Sequence, residues 1–236
     1  MRDAIRGFAI GVLALAIIGA LASRFGISHV NVPRPSGVGA WHAARATGLV
    51  GFAALSLDVI LGLALSTRAG DRVLPRAHAV DLHGWLSPLA LALVAGHALV
   101  LLADGYLKLD VLDVLVPFAS TAYRPIAVGI GVLAAYIVVV VHASFALRKR
   151  LGTRRWRRLH YLSFVGFGAS AVHGILAGTD SARPWAIAVY ATPLAAVLAL
   201  IGYRIVRRPR GIVPPRTPPS PAPPPPAPGP VSYFGY

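Results

Sequence analysis

Four histidines lie inside two apolar stretches at nearly equal spacing. His83 and His97 stand 14 residues apart in DLHGWLSPLALALVAGHALVLL, and His160 and His173 stand 13 apart in LHYLSFVGFGASAVHGILAG. An imidazole within a lipid-embedded helix is costly and normally has a function. Two on each of two helices suit two stacked centres, each held between one ring from either helix. Bis-imidazole ligation of haem iron needs that arrangement. At about 1.5 Å of rise per residue, the pairs span about 21 Å and about 19.5 Å, so His83 should face His160 and His97 should face His173. Four histidines on two levels that far apart cannot gather around one tetrahedral zinc, and no HExxH is present.

The elements that must carry these rings are membrane helices. The chain has 236 residues, 56% of them hydrophobic and only 13% charged, about half the charge of a soluble domain. Apolar runs long enough to cross a bilayer place six spans at roughly 5–22, 46–66, 79–103, 125–147, 158–177 and 185–206. The expected fold is therefore an all-α integral membrane protein, a six-helix bundle without a soluble domain, in the cell membrane. The first span, within residues 1–25, reads as a retained anchor. Ala20-Leu21-Ala22 also resembles a signal-peptide cleavage site.

Charge orients the bundle. Lys and Arg number 2, 3, 7 and 5 in the N-terminus, the 67–78 loop, the 148–158 loop and the tail together with Arg204, against 3, 2 and 1 in the alternate loops. By the positive-inside rule both termini are cytoplasmic, with His83 and His160 at the inner level and His97 and His173 at the outer. A net charge of +15 is thereby explained by topology and lipid headgroups, and no nucleic-acid partner is expected. The chain has no cysteine, which excludes disulfides and thiolate-held metals.

Two segments fall outside the spans. Residues 104–124 form an external, partly apolar stretch, readable as a short surface helix or a packed loop. Residues 207–236 include IVPPRTPPSPAPPPPAPGP, a disordered or polyproline tail that is inert or docks a proline-recognising module.

The 13-residue step leaves His173 about 140° from the face that carries His160 on a straight helix. The helix must bend, widen, or present its rings around opposite flanks, and Gly166 and Gly168 are placed to permit this. Gly84, Gly96 and Gly174 adjoin histidines and offer room for a flat macrocycle.

The layout resembles the ferric reductase-like transmembrane domain, shared by ferric reductases, the membrane core of NADPH oxidases and the haem subunit of the bacterial methionine sulfoxide reductase system. The residues that carry the resemblance are His83 and His97, then RRWRRLHYLSF with His160, then AVHGILAGTD with His173, over roughly 45–206. The resemblance implies that these four histidines ligate two haem b groups. It also implies electron flow from the cytoplasmic side to an external acceptor such as ferric iron or a partner oxidoreductase. The sequence carries no GxGxxG or similar nucleotide loop. Electrons are expected from a separate protein, from quinol, or from a flavin held by the membrane domain.

Other polar residues are candidates around this core. Asp58 suits a hydrogen-bond partner for a ligand imidazole, a proton acceptor in quinol chemistry, or a structural residue. His142 suits a spare ligand or a quinone contact at the inner level, or interfacial packing. Arg45, Arg124 and Arg158 are candidate partners for haem propionates. His78 is expected at the inner interface, and His29 and His42 in the outer loop. Two further readings stand beside the cytochrome: a quinol-oxidising haem subunit using Asp58 and His142, and a non-redox membrane transporter or scaffold.

Overall fold

A computed structural model of the chain describes residues 39–71, 73–121 and 123–206. The anchor expected over 5–22, His29 and the proline-rich tail lie outside the described residues. Among the described residues every regular element is a helix. The helices are α1 (Gly39–Thr67), α2 (Arg76–Ala103), α3 (Val111–Leu115), α4 (Pro125–Ala146), α5 (Arg148–Leu151), α6 (Thr153–His160), α7 (Leu162–Ala177) and α8 (Pro184–Val206). Five spans are long and apolar enough to cross a membrane: α1, α2, α4, the nearly continuous Thr153–Ala177, and α8. The protein is a multi-pass membrane protein.

Local chemistry sets the ends of these spans. Pro75 precedes α2 and Pro125 opens α4, where a missing N–H costs nothing and φ is already helical. Inside the spans, hydroxyls must find partners without water. Ser56, Thr47, Ser144 and Ser170 each donate to a carbonyl three or four residues back.

Helix α1 is the central element and packs chiefly against α2, with α8 and α7 also touching it. Its Phe52, Leu55, Val59 and Leu63 join Ala90, Val138, Phe167, Ala171, Tyr190 and Val197 in one core. Phe52 stacks on Phe167, with ring centroids 5.7 Å apart and planes within 7°, and meets Tyr190 at 5.1 Å. Large apolar side chains such as Trp85, Leu89, Ile126 and Leu198 point outward, as a lipid-facing surface requires.

Two details differ from the sequence expectation. Helix α1 already includes Gly39, the first described residue, so His42 and Arg45 are helical rather than in a loop. The 104–124 segment contains the short helix α3, one of its two expected forms, and Leu107, Leu109 and Val114 line a cavity of the bundle. The fifth span is interrupted at Tyr161, immediately after His160, rather than at Gly166 or Gly168. There Phe164 N–H donates to Tyr161 O at 3.2 Å, an i→i−3 bond, and Tyr161 has ψ −16°. Tighter winding adds rotation per residue, which narrows the angular shortfall of the 13-residue step.

Candidate functional site

The bundle brings the histidines together in two pairs. His83 on α2 faces His160 at the end of α6, with ring centroids 6.2 Å apart and planes at 86°. His97 on α2 faces His173 on α7, with centroids 6.3 Å apart and planes at 75°. Each pair borders a cavity, of about 250 Å³ at the His83/His160 level and about 240 Å³ at the His97/His173 level.

Hydrogen bonds fix which nitrogen is free. Nδ1 of His97 lies 2.8 Å from the Ala44 carbonyl, Nδ1 of His173 lies 2.8 Å from the Ala127 carbonyl, and Nδ1 of His83 lies 3.1 Å from the Asp58 carbonyl. A carbonyl can only accept, so Nδ1 carries the hydrogen. In the neutral ring Nε2 then keeps its lone pair, the condition for a metal ligand oriented by an outer partner.

The same docking geometry occurs three times. Each of these rings donates to a carbonyl at position j and passes over a glycine at j+4. The pairs are Ala44/Gly48 for His97, Asp58/Gly62 for His83 and Ala127/Gly131 for His173. A Cβ at Gly131 would lie 2.5 Å from His173 Nδ1. One at Gly48 would lie 3.0 Å from His97 Cε1, and one at Gly62 3.4 Å from His83 Cε1. A side chain at Gly131 would thus force the imidazole away, one at Gly48 would be tight, and one at Gly62 would make ordinary contact. The glycines next to the histidines in sequence do not serve this purpose. Gly84 and Gly96 face open space, and Gly174 faces the Tyr190 ring.

His160 is placed differently. Trp156, one turn earlier, stacks on it with centroids 5.1 Å apart and planes within 26°. Trp156 in turn meets the edge of Phe145, and the Arg148 guanidinium lies over both rings. This local cluster holds the basic end of α6 against α4.

These donors suit haem. Metal–imidazole bonds are about 2.0–2.1 Å and a ring centroid lies about 1.15 Å behind its nitrogen, so two imidazoles on opposite faces of one metal have centroids about 6.3 Å apart. Both pairs meet that separation. Their interplanar angles are free, because each plane need only contain the metal–nitrogen axis. Among the described residues no cluster of three or more His, Cys, Asp or Glu could hold a bare metal ion. A metal held at either pair would need its remaining ligands from another group, which a macrocycle can supply.

Residues 47–171, more than half of the chain, match the model of the ferric reductase like transmembrane component family. The chain belongs to this family. Neither the comparison with curated proteins nor that with solved structures gives a match. The matched segment contains His83, His97 and His160 and ends two residues before His173. The membership supports a membrane electron-transfer role, and family domains of this kind typically bind haem.

The other candidates scatter. Asp58 is buried, and its Oδ1 lies 2.7 Å from His83 Nδ1 although the contact is off the hydrogen-bond axis. His142 Nδ1 meets Ser87 Oγ at 3.2 Å, and both residues line the His83/His160 cavity. Arg45 lines the opposite cavity, pairs with Asp180 and lies over the Trp41 ring. Arg124, in the left-handed region at φ 36°, donates to the Leu176 and Gly178 carbonyls at the end of α7. Arg158 is exposed, while Arg157 and Arg204 line the cavity beside His160. His78 is exposed in the first turn of α2.

Proposed function

We propose that the protein is a membrane cytochrome b that carries electrons across the bilayer through two bis-histidine haems. His83 with His160 would hold one, and His97 with His173 the other. The observation that carries this reading is the separation of 6.2 and 6.3 Å in the two pairs, together with the Nδ1 bonds that leave Nε2 free. When bound, haem supplies reversible one-electron chemistry. The chain supplies the ligands, fixes the tautomer of His83, His97 and His173 and keeps the two levels about 21 Å apart, estimated from helix rise.

The loop-charge asymmetry assigns the His83/His160 level to the cytoplasmic side and both termini to the cytoplasm. Electrons would then enter from a separate donor protein, a flavin or a quinol and leave toward an external acceptor such as ferric iron or a partner oxidoreductase. Arg45, which lines the outer cavity paired with Asp180, and Arg157 and Arg204, which line the inner one, are candidate partners for propionates beside Arg124 and Arg158. The test is a sealed vesicle holding haem-loaded protein in one orientation. A reductant confined to the side of the 148–158 loop should reduce a ferric chelate on the other side. No transfer above protein-free vesicles rejects the reading.

A second reading concerns the donor. The Ser87–His142 contact places an imidazole on the wall of the His83/His160 cavity, where it could receive a proton from a quinol. Quinol-dependent reduction in the wild type, lost in His142→Ala while a soluble reductant still works, supports that donor. Equal rates in both proteins reject it.

A further inference from the structure

The three docking positions are alike in backbone and differ in one side chain. His97 docks at Ala44 and His173 at Ala127, so each Nδ1 meets a carbonyl beside a methyl group. His83 docks at Asp58, where it meets the carbonyl at 3.1 Å and the carboxylate Oδ1 at 2.7 Å. The register makes the comparison direct. Asp58 stands 14 residues after Ala44 on α1, as His83 stands 14 before His97 on the antiparallel α2. One level of the bundle therefore carries a buried carboxylate against a ligand ring, and the other carries none at the equivalent place.

A buried carboxylate in an apolar bundle is expensive and persists where it has a task. Packing alone would be served by alanine, as the other two docking positions demonstrate. A carboxylate beside an imidazole N–H raises the basicity of the opposite nitrogen. A more basic axial ligand, and a nearby negative charge, favour the more positive oxidation state of the iron. Arg157 and Arg204 also line this cavity and keep their charge, Arg157 exposed and thus screened and Arg204 turned to the Tyr161 hydroxyl at 3.2 Å, whereas the Asp58 carboxylate touches the His83 ring itself. At the other level Arg45 is already paired with Asp180.

We infer that Asp58 sets the His83/His160 centre at a lower potential than the His97/His173 centre, and so gives electron flow across the bundle a built-in direction. The inference rests on the proposed two-haem reading. It makes Asp58 a positioning and tuning residue for His83, not a ligand. With the membrane orientation proposed above, the downhill direction runs from the cytoplasmic level to the outer one.

The test is an optical redox titration of the full-length, haem-loaded protein. Two waves are expected. The wave that survives in His97→Ala should be the lower one. Asp58→Asn should move that lower wave upward and leave the higher wave in place, with haem content unchanged. Ala44→Asp, which adds a carboxylate at the matching place, should move the higher wave downward. This variant decides the matter if Asp58→Asn loads haem poorly. Overturning results are an Asp58→Asn titration that superimposes on the wild type, a shift of both waves together, or survival of the higher wave in His97→Ala. A wild-type chain that binds no haem would instead reject the cytochrome reading itself.

Discussion

The His97/His173 level and the His83/His160 level solve one problem with different parts. At the first, both rings come from uninterrupted stretches of helix and both rest in a carbonyl-and-glycine cradle on a neighbouring helix. At the second, only His83 has that cradle. His160 sits at a helix interruption and is steadied by Trp156 stacked on its face. Polar groups also gather there: Asp58, Ser87 and His142 line the cavity. One level is thus fixed by close backbone-to-ring contacts, tightest at Gly131, and the other largely by side chains.

The largest expected effect breaks one level and spares the other. His97→Ala should remove about one haem per chain and leave the His83/His160 haem with its spectrum intact. Loss of both haems would show that the levels are not independent.

Glycine replacements grade the cradles. Gly131→Ala places a Cβ 2.5 Å from His173 Nδ1 and should lower haem content nearly as far as His97→Ala does. Gly48→Ala, at 3.0 Å, should lower it partly, and Gly62→Ala, at 3.4 Å, scarcely at all. Haem-to-protein ratios measured across the three variants check that order. Equal ratios would remove the cradle as an explanation.

Phe167 lies between the levels in the core and should affect them alike. Phe167→Ala leaves a void against Phe52, costing about 3 kcal/mol by analogy with aromatic core truncations. Thermal unfolding in detergent should show the loss with both haem bands released together. Smallest of all, Asp180→Asn removes a partly exposed ion pair at the His97/His173 mouth. It should change stability by under about 1 kcal/mol, and the same unfolding assay measures it.

Much of this was legible in sequence because it is periodic. Spacings of 14 and 13 inside apolar runs are enough to expect the pairs His83/His160 and His97/His173, which the bundle brings together. The same runs mark the five spans among the described residues. The cradles were harder to read because they lie on other helices. ARATG, DVILG and AVGIG look like ordinary membrane-helix sequence until the antiparallel partner is known. Their signal was present all the same, since Gly48 and Gly62 repeat the 14-residue step of His97 and His83. Attention to glycines adjacent to the histidines misleads, because a ring reaches across to a neighbouring helix and not along its own backbone. The interruption at Tyr161 was legible only as a need: a 13-residue step demands extra rotation, but no Pro or Gly marks where it is taken. The Arg45–Asp180 pair joins residues 135 apart, which no local pattern reveals.

The most direct test of the central claim is a pyridine haemochrome count on the purified full-length protein beside the variant with all four of His83, His97, His160 and His173 changed to alanine. Two b-type haems per wild-type chain are expected, and none in the variant. A wild type that carries no haem after reconstitution, or a quadruple variant that carries as much as the wild type, contradicts it.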